Sequence, residues 1–249
     1  MQLPEKYRTG CESIDKLLGG GFESGTVTQL YGEAGSGKTN ICLQMAVKSA
    51  KKGNSVIIID SEGLSPERFL QIASSQTTEE KDVERIAGKI ILYQPKNFDQ
   101  QTSYIMEIET VIKEKQGENG VSLVILDSAT LFYRLELDED HERSMYLRRV
   151  LNNQIMRLLE IARKYDLVVI ITNQVYTDIE NGKLRPSGGY TVEYISKVIV
   201  QLEKVAGVPG KRIATIKKHR SMPEESVCTF FITRNGIEDY ESERKGDIR

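Results

Sequence analysis

Five short apolar runs rich in β-branched residues constrain the fold of this chain more than any other feature. The runs span residues 26–32, 55–60, 89–94, 123–127 and 167–172, and segments with helical spacing lie between them, at 39–52, 66–74, 98–115 and 143–164. Runs that are apolar throughout are typical of parallel strands covered on both faces by helices. The alternation of strand and helix therefore predicts an α/β fold with a central, mostly parallel, twisted sheet flanked by helices.

After residue 172 the pattern changes. The strand-like runs KVIVQLE, RIATIKK and SVCTFFITRNGIED follow one another without long helices, separated by GVPG and HRSMPEE. Such a tail predicts antiparallel strands added to one edge of the sheet. The polar, Gly- and Pro-bearing segment 172–191 between the two regions predicts a long loop of the kind that often carries function.

Composition narrows the class of protein. No Pro- or Ser-rich linker and no solenoid repeat interrupts the sequence, so we expect one domain over residues 1–249. The net charge is −2, which means that a surface for nucleic acid must be local. Three widely spaced cysteines and the lack of a long apolar run predict a cytoplasmic protein without a membrane segment.

The stretch GEAGSGKT, residues 32–39, satisfies the pattern GxxxxGK[ST] and lies between a predicted strand and a predicted helix. In that setting, backbone N–H groups and the helix dipole face anionic phosphates. Lys38 is expected to reach the β and γ oxygens, and Thr39 to ligate Mg²⁺. The predicted nucleotide-binding residues are Gly32, Glu33, Ala34, Gly35, Ser36, Gly37, Lys38, Thr39 and Asn40.

Two carboxylates are candidates for the chemistry beyond phosphate binding. Asp127 ends the run LVILD, where an acid can hold Mg²⁺ at the carboxyl edge of a parallel sheet. Glu62 follows the run SVIIID and is expected at the same edge, where it can polarise an attacking water. The alternative for Glu62 is a cap for the next helix.

The segments GEAGSGKT, IIDSEGLSPERF, LVILDSATLFYR and VVIITNQV, in this order, resemble the ATPase core of the RecA/RadA recombinase family. The resemblance implies a RecA-like P-loop fold that uses ATP and Mg²⁺ in homologous recombination and DNA repair. It also implies Asp127 at the metal, Glu62 as catalytic carboxylate, Arg68 against the adenine and Gln174 as γ-phosphate sensor. The alternative for Gln174 is a polar cap of its strand.

The basic stretch IKKHR near the end of a tail strand has a counterpart in RecA-like ATPases. There, a Lys/Arg pair reaches the γ-phosphate held by the neighbouring subunit, and a cation supplied in this way stabilises transition-state charge. The resemblance thus implies catalytic roles for Lys218 and Arg220 and some self-association. A solvated basic turn is the alternative.

The chain departs from strand-exchanging members of the family at its first DNA loop, which here reads LELDEDHERS and would repel phosphate. The second loop offers Lys183 and Arg185 to single-stranded DNA, with Tyr176 and Tyr190 as stacking groups. About thirty residues precede the phosphate loop, so we expect no N-terminal DNA-binding domain and no independent filament.

The sequence therefore predicts a DNA-binding ATPase with weak, DNA-linked turnover that assists a full-length RadA-like recombinase or other repair proteins. Two alternatives remain open at this stage. One is a nucleotide-gated adaptor with negligible turnover, and the other is a KaiC-like signalling ATPase that does not bind DNA.

Overall fold

The computed structural model describes residues 4–117, 119–177 and 184–239. Within these ranges the chain forms, in order, β1 (Lys6–Tyr7), α1 (Glu12–Leu17), β2 (Phe22–Glu23), β3 (Thr26–Gly32), α2 (Lys38–Lys51), β4 (Ser55–Asp60), α3 (Pro66–Ser75), α4 (Glu80–Ala87), β5 (Ile90–Tyr93), α5 (Phe98–Glu114), β6 (Val121–Asp127), α6 (Leu131–Leu135), α7 (His141–Tyr165), β7 (Val168–Asn173), β8 (Val175–Thr177), β9 (Leu184–Pro186), α8 (Tyr190–Ile195), β10 (Val198–Lys204), β11 (Lys211–Lys218), β12 (Val227–Thr233) and β13 (Gly236–Glu238).

A nine-stranded sheet organises the molecule, with the strand order β13-β12-β11-β10-β3-β7-β6-β4-β5. The six strands from β10 to β5 are parallel, and β11, β12 and β13 continue the sheet antiparallel. The predicted fold, a mostly parallel sheet with antiparallel strands near the C-terminus, is confirmed.

The direction of one tail strand was predicted wrongly. KVIVQLE was expected to join the sheet antiparallel, but β10 pairs parallel with β3, and Val198 lies opposite Thr28. The reason is the connection that precedes it: the hairpin β8–β9 and helix α8 carry the chain from the end of β7 back to the starting edge of the sheet, so β10 runs in the same direction as β7.

The sequence pattern also missed short helices. Helix α4 reads EKDVERIA, and only Ile86 is buried in it, so its apolar spacing is too sparse to signal a helix. The segment 172–191, expected as a loop, contains the paired strands β8 and β9 and part of helix α8.

Both faces of the sheet are covered. Helices α5 and α7 pack on one face, with Ile155 and Leu151 fully buried, and α2 packs on the other through Ile41 and Met45. Truncating Leu151 to Ala would open a cavity and cost about 2–5 kcal/mol. These layers hold the carboxyl ends of the parallel strands in fixed positions.

No helix in the described part of the chain is both long enough and apolar enough to cross a membrane.

Candidate nucleotide-binding site

The carboxyl ends of four adjacent strands form the site. Across the sheet in the order β3, β7, β6, β4, these ends are Gly32, Asn173, Asp127 and Asp60. Asp60 lies directly opposite Asp127 in the register of β4 and β6. Segments far apart in the sequence therefore meet at one edge, the usual ligand position in an open parallel sheet.

The phosphate loop joins β3 to α2. A Cβ on Gly32 would lie 2.1 Å from the carbonyl oxygen of Leu202, so the close passage of β10 requires glycine there. Gly37, with φ 107°, is the N-cap of α2 and needs the left-handed backbone that glycine tolerates. Between them, Glu33, Ala34 and Gly35 are exposed and Ser36 is buried.

Polar groups of the loop point inward. Lys38 Nζ donates hydrogen bonds to the carbonyl oxygens of Gly32, at 2.8 Å, and Glu33, at 3.0 Å. Ser36 Oγ is buried and has no hydrogen-bond partner among the described residues. Because an orphaned hydroxyl and a lysine ammonium face the start of a helix, the loop has the donors that a polyphosphate needs.

Thr39 and Asp127 form the candidate magnesium pair. Thr39 Oγ1 donates to Asp127 Oδ2 at 2.7 Å, and the hydroxyl of Thr172 bonds the other oxygen of that carboxylate. Mg²⁺ prefers such hard oxygen ligands, with phosphate and water completing its shell. The described residues contain no group of three or more His, Cys, Asp or Glu side chains arranged around a metal, so two protein ligands plus phosphate is the fitting arrangement.

Burial shapes the electrostatics of the pair. Asp127 is 1% exposed, and burial raises the pKa of its carboxyl group, while the hydroxyl donors and Lys38 oppose that shift. Burial likewise lowers the pKa of Lys38, and the charges of Glu62 and Asp127 oppose it. Each buried charge here is stabilised chiefly by the others.

Gln174 links two separate segments. Its Nε2 donates to Glu62 Oε1 at 3.0 Å, and its Oε1 accepts from Arg134 Nη1 at 2.6 Å. Glu62 is exposed just beyond β4, and Arg134 lies on α6 after β6. The amide therefore stands between the candidate catalytic acid and the segment that leads into the first loop.

The Rad51 family model matches residues 5–240 of this chain. The DNA repair and recombination protein RadB of Methanococcoides burtonii is 50% identical over 235 residues, which cover 94% of this chain and 98% of that protein. The chain belongs to the RadB group of the Rad51 family. RadB of Archaeoglobus fulgidus is 44% identical over 230 residues, covering 92% of this chain and 96% of the relative.

A solved structure gives the same result. The crystal structure of the RadB recombinase superposes with a TM-score of 0.79 at 36% identity, covering 94% of this chain and all of that one. Proteins of the Rad51 and RecA family typically use ATP with Mg²⁺. The Thr39–Asp127 pair and the inward-facing loop fit both groups.

Arg68, expected against an adenine, is partly buried in this Rad51-family chain. Its Nε donates to Asn40 Oδ1 at 2.6 Å, and its guanidinium also reaches the carbonyl oxygens of Arg234 and Gly236 in the β12–β13 turn. Burial lowers its pKa. Arg68 thus ties the first turn of α2 to the edge of the sheet, and its contact with a base stays a prediction.

Sequence reasoning missed Arg212 and underrated Arg134. Arg212 Nε donates to the carbonyl oxygen of Gly35 at 3.0 Å, so β11 braces the exposed tip of the phosphate loop. No local pattern signals this contact, because its partners lie 177 residues apart. Arg134 stands beside the family-like segment LVILDSATLFYR, and its partner Gln174 was the available signal.

Lys218 and Arg220 do not lie near the phosphate loop of their own chain. Lys218 is opposite Ile199, which is opposite Gln29, so the basic turn lies toward the amino ends of the parallel strands. Lys218 Nζ donates to the carbonyl oxygens of Glu193 and Tyr194 at the end of α8. A role for these cations at a nucleotide requires a neighbouring subunit, and it stays a prediction.

The second loop is described only in part. Lys183 lies outside the described residues, whereas Arg185 is exposed on β9 and interacts electrostatically with Glu193. Tyr176 is 48% exposed and Tyr190 is 80% exposed, which leaves both rings accessible. The contact of these residues with DNA stays a prediction.

Three acids of the first loop have structural partners. Asp140 caps α7 by accepting from the N–H groups of Glu142 and Arg143, and Asp138 pairs with Arg143 at 3.3 Å. Glu136 accepts from the N–H of Phe98 at 3.1 Å. The acidic run therefore helps to fold α6, α7 and the start of α5, besides repelling phosphate.

Proposed function

We propose that this chain is an ATP-binding, DNA-binding recombinase paralogue that acts in homologous recombination and DNA repair as one ATPase domain over residues 1–249. The observation that carries the proposal is the position of Gln174. It touches Glu62 at the candidate nucleotide site and directly precedes the hairpin β8–β9. A side chain in this place can make the order of the hairpin depend on the nucleotide.

At the nucleotide, Lys38 and the loop N–H groups would bind the phosphates, and Thr39 and Asp127 would hold Mg²⁺. The metal supplies charge neutralisation on the β and γ oxygens when bound. Glu62 would orient the attacking water as a hydrogen-bond acceptor, with Lys218 and Arg220 supplied by a neighbouring copy. Weak turnover follows, since Glu62 already accepts a hydrogen bond from Gln174 in the same chain.

At the DNA, the hairpin would contribute Lys183 and Arg185 to the phosphates of a single strand. Because the first loop is acidic, we infer that the protein assists a full-length RadA-like recombinase or another repair protein. We place this function in the cytoplasm, and the three free cysteines suit a reducing compartment.

The test is ATP turnover measured across a range of protein concentrations, with and without single-stranded DNA. Turnover that rises with DNA and with protein concentration supports the proposal. ATP hydrolysis that is unaffected by DNA, in a protein that does not bind DNA, would overturn it.

A nucleotide-gated adaptor is the second candidate, and the Gln174–Glu62 hydrogen bond favours it, because a carboxylate occupied by an amide is a poor activator of water. Tight ATP binding with no measurable hydrolysis under every condition would select this candidate. Transfer of phosphate to protein would select a KaiC-like signalling ATPase instead.

A further inference from the structure

A basic groove lies at the far end of α2 from the phosphate loop. It has a volume of about 560 Å³ and is bounded by the segment 7–10, the last two turns of α2 and Gln76. Four cations line it: Arg8, Lys48, Lys51 and Lys52. Since α2 runs from Lys38 to Lys51 and each residue adds 1.5 Å, the groove is about 20 Å from the nucleotide site.

The helix concentrates positive charge on one face. Lys48, Lys51 and Lys52 are three and four positions apart, so their side chains leave the same side of α2. Like charges at this spacing destabilise a helix, although its C-terminal dipole favours cations. An anion seated among them would remove the repulsion.

Lys48 is the most informative member of the cluster. It is half-buried, and its ammonium and last methylene lie so close to Gly10 that a Cβ there would be 2.1 Å from Nζ. No acceptor within the described ranges bonds its Nζ, and burial together with Lys51, Lys52 and Arg8 lowers its pKa. A partly desolvated ammonium without a partner is costly unless a ligand supplies the counter-charge.

The carboxylates that act on these cations are already engaged. Asp15 accepts from the N–H and hydroxyl of Thr9, from the N–H of Gly10 and from Arg8 Nε. Asp82, the acid that interacts with Lys51, bonds Thr77 and Arg85. Neither neutralises Lys48 or Lys52 directly.

Lys51 is held at the mouth of the groove. Its Nζ bonds the carbonyl oxygen of Gln76, the C-cap of α3. At the other end, the hydroxyl of Tyr7 bonds Glu5, whose charge helps to raise the pKa of Tyr7 to about 12. The cationic floor is therefore open between an amide at one end and an acid at the other.

We propose that this groove binds the phosphate backbone of single-stranded DNA, as a second contact separate from the hairpin and from the nucleotide. A strand offers a phosphate about every 3.4 Å along its axis, so successive phosphates can meet cations one helical turn apart. A cleft bounded on both sides admits a flexible single strand more readily than a rigid duplex. The contact does not depend on ATP, because α2 is a fixed helix of the core.

The test uses the full-length protein without nucleotide and a fluorescein-labelled oligothymidylate, whose anisotropy is followed across a salt series. Each phosphate contact on a single strand contributes about −0.7 to the log–log salt slope, so a Lys48→Gln/Lys51→Gln/Lys52→Gln variant should be shallower by about 2. The matched control, Lys81→Gln/Lys96→Gln/Lys115→Gln, removes the same charge from exposed positions elsewhere and should leave the slope unchanged.

Further arms separate the outcomes. A Lys48→Arg/Lys51→Arg/Lys52→Arg variant should retain the slope, which would exclude a folding defect as the cause of the loss. Equal losses in the groove and control variants, or no loss in either, would overturn the inference. A greater loss on a duplex of equal length than on the single strand would overturn the assignment to single strands.

The inference and the proposed function fail differently. A slope that falls with Arg185→Gln but not with the groove variant contradicts the groove and leaves the hairpin contact in place. A slope that falls with the groove variant but not with Arg185→Gln supports the groove and contradicts the hairpin contact. A protein with no measurable affinity for the oligothymidylate contradicts both.

Discussion

Gln174 Nε2 donates a 3.0 Å hydrogen bond to Glu62 Oε1, although the two residues are 112 positions apart. The other end of the same amide accepts from Arg134 at 2.6 Å. The chemistry of the partners sets the orientation of the amide, because a carboxylate needs a donor and a guanidinium needs an acceptor. Three segments that follow three different strands are thereby joined through one side chain.

Arg134 is expected to hold Gln174 in its working orientation. We predict that Arg134→Gln leaves nucleotide affinity unchanged and reduces the stimulation of turnover by DNA. A double-mutant cycle with Gln174→Ala should give a coupling of roughly 0.5–1.5 kcal/mol in the turnover measured with DNA. Arg143→Gln, which removes a cation paired with Asp138 instead, is the control, and additive effects of Arg134 and Gln174 would contradict the prediction.

Phosphate binding and water activation should separate between two variants. Lys38→Ala should abolish ATP binding, because the loop loses the ammonium that now bonds Gly32 and Glu33. Glu62→Gln should retain binding and suppress hydrolysis, since an amide cannot act as the acceptor that orients water. Calorimetric titration and a phosphate-release assay report the two steps, and equal loss of binding in both variants would show that Glu62 is structural.

The basic turn should act between subunits. A Lys218→Ala/Arg220→Ala variant is expected to lose ATPase activity, and mixing it with Glu62→Gln should restore part of it, because each chain then supplies what the other lacks. Lys218 also caps α8 in its own chain, so thermal unfolding must be compared first. A mixture no more active than its parts at high protein concentration would rule out the intersubunit role.

Glu109 should make stability depend on acid pH. Lys164, Tyr165 and Arg157 donate to its carboxylate, and these bonds, led by that from Lys164, lower its pKa from 4.5 to about 2. The unfolded chain therefore takes up the proton first, and the stabilisation, complete above a pH of about 4.5, is lost as the pH falls toward about 2.

Urea unfolding at several pH values tests this. Glu109→Gln should lower the free energy of unfolding near neutral pH, and its difference from the unaltered protein should shrink as the pH falls through that window. Glu107→Gln, an exposed acid on the same helix, is the control. A difference that stays constant with pH would contradict the prediction.

Local sequence determined some elements closely. The runs 26–32 and 55–60 were predicted with the bounds that β3 and β4 have, because every residue in them is buried and the apolar run ends where the strand ends. The direction of β10 was missed because it depends on the crossover through α8, which no pattern in KVIVQLE contains.

The site divides in the same way. The phosphate loop and Asp127 were predictable because their chemistry lies in contiguous residues at strand ends. The bracing of Gly35 by Arg212 and the ordering of Gln174 by Arg134 depend on which strands are neighbours, and so does the position of the groove between α2 and the segment 7–10. Such contacts appear only when the chain is folded.

The hairpin should bind single-stranded DNA modestly, yet the protein should not exchange strands alone. Lys183 and Arg185 account for a salt slope of about −1 to −2 at about −0.7 per contact. Neutralising both should remove that share, while Arg143→Gln beside the acidic loop should change the slope little. A slope unaffected by the double variant would contradict the first half of this prediction.

The second half concerns the first loop. Glu136, Asp138 and Asp140 are engaged in holding α5, α6 and α7, so this acidic segment cannot be rearranged into a phosphate-binding loop without losing those contacts. Strand exchange by a filament requires DNA loops that grip together, and here one of the two repels phosphate. Purified protein incubated with a single strand and a homologous duplex should form no joint molecules unless a RadA-like recombinase is added. Efficient joint-molecule formation by the protein alone would refute this.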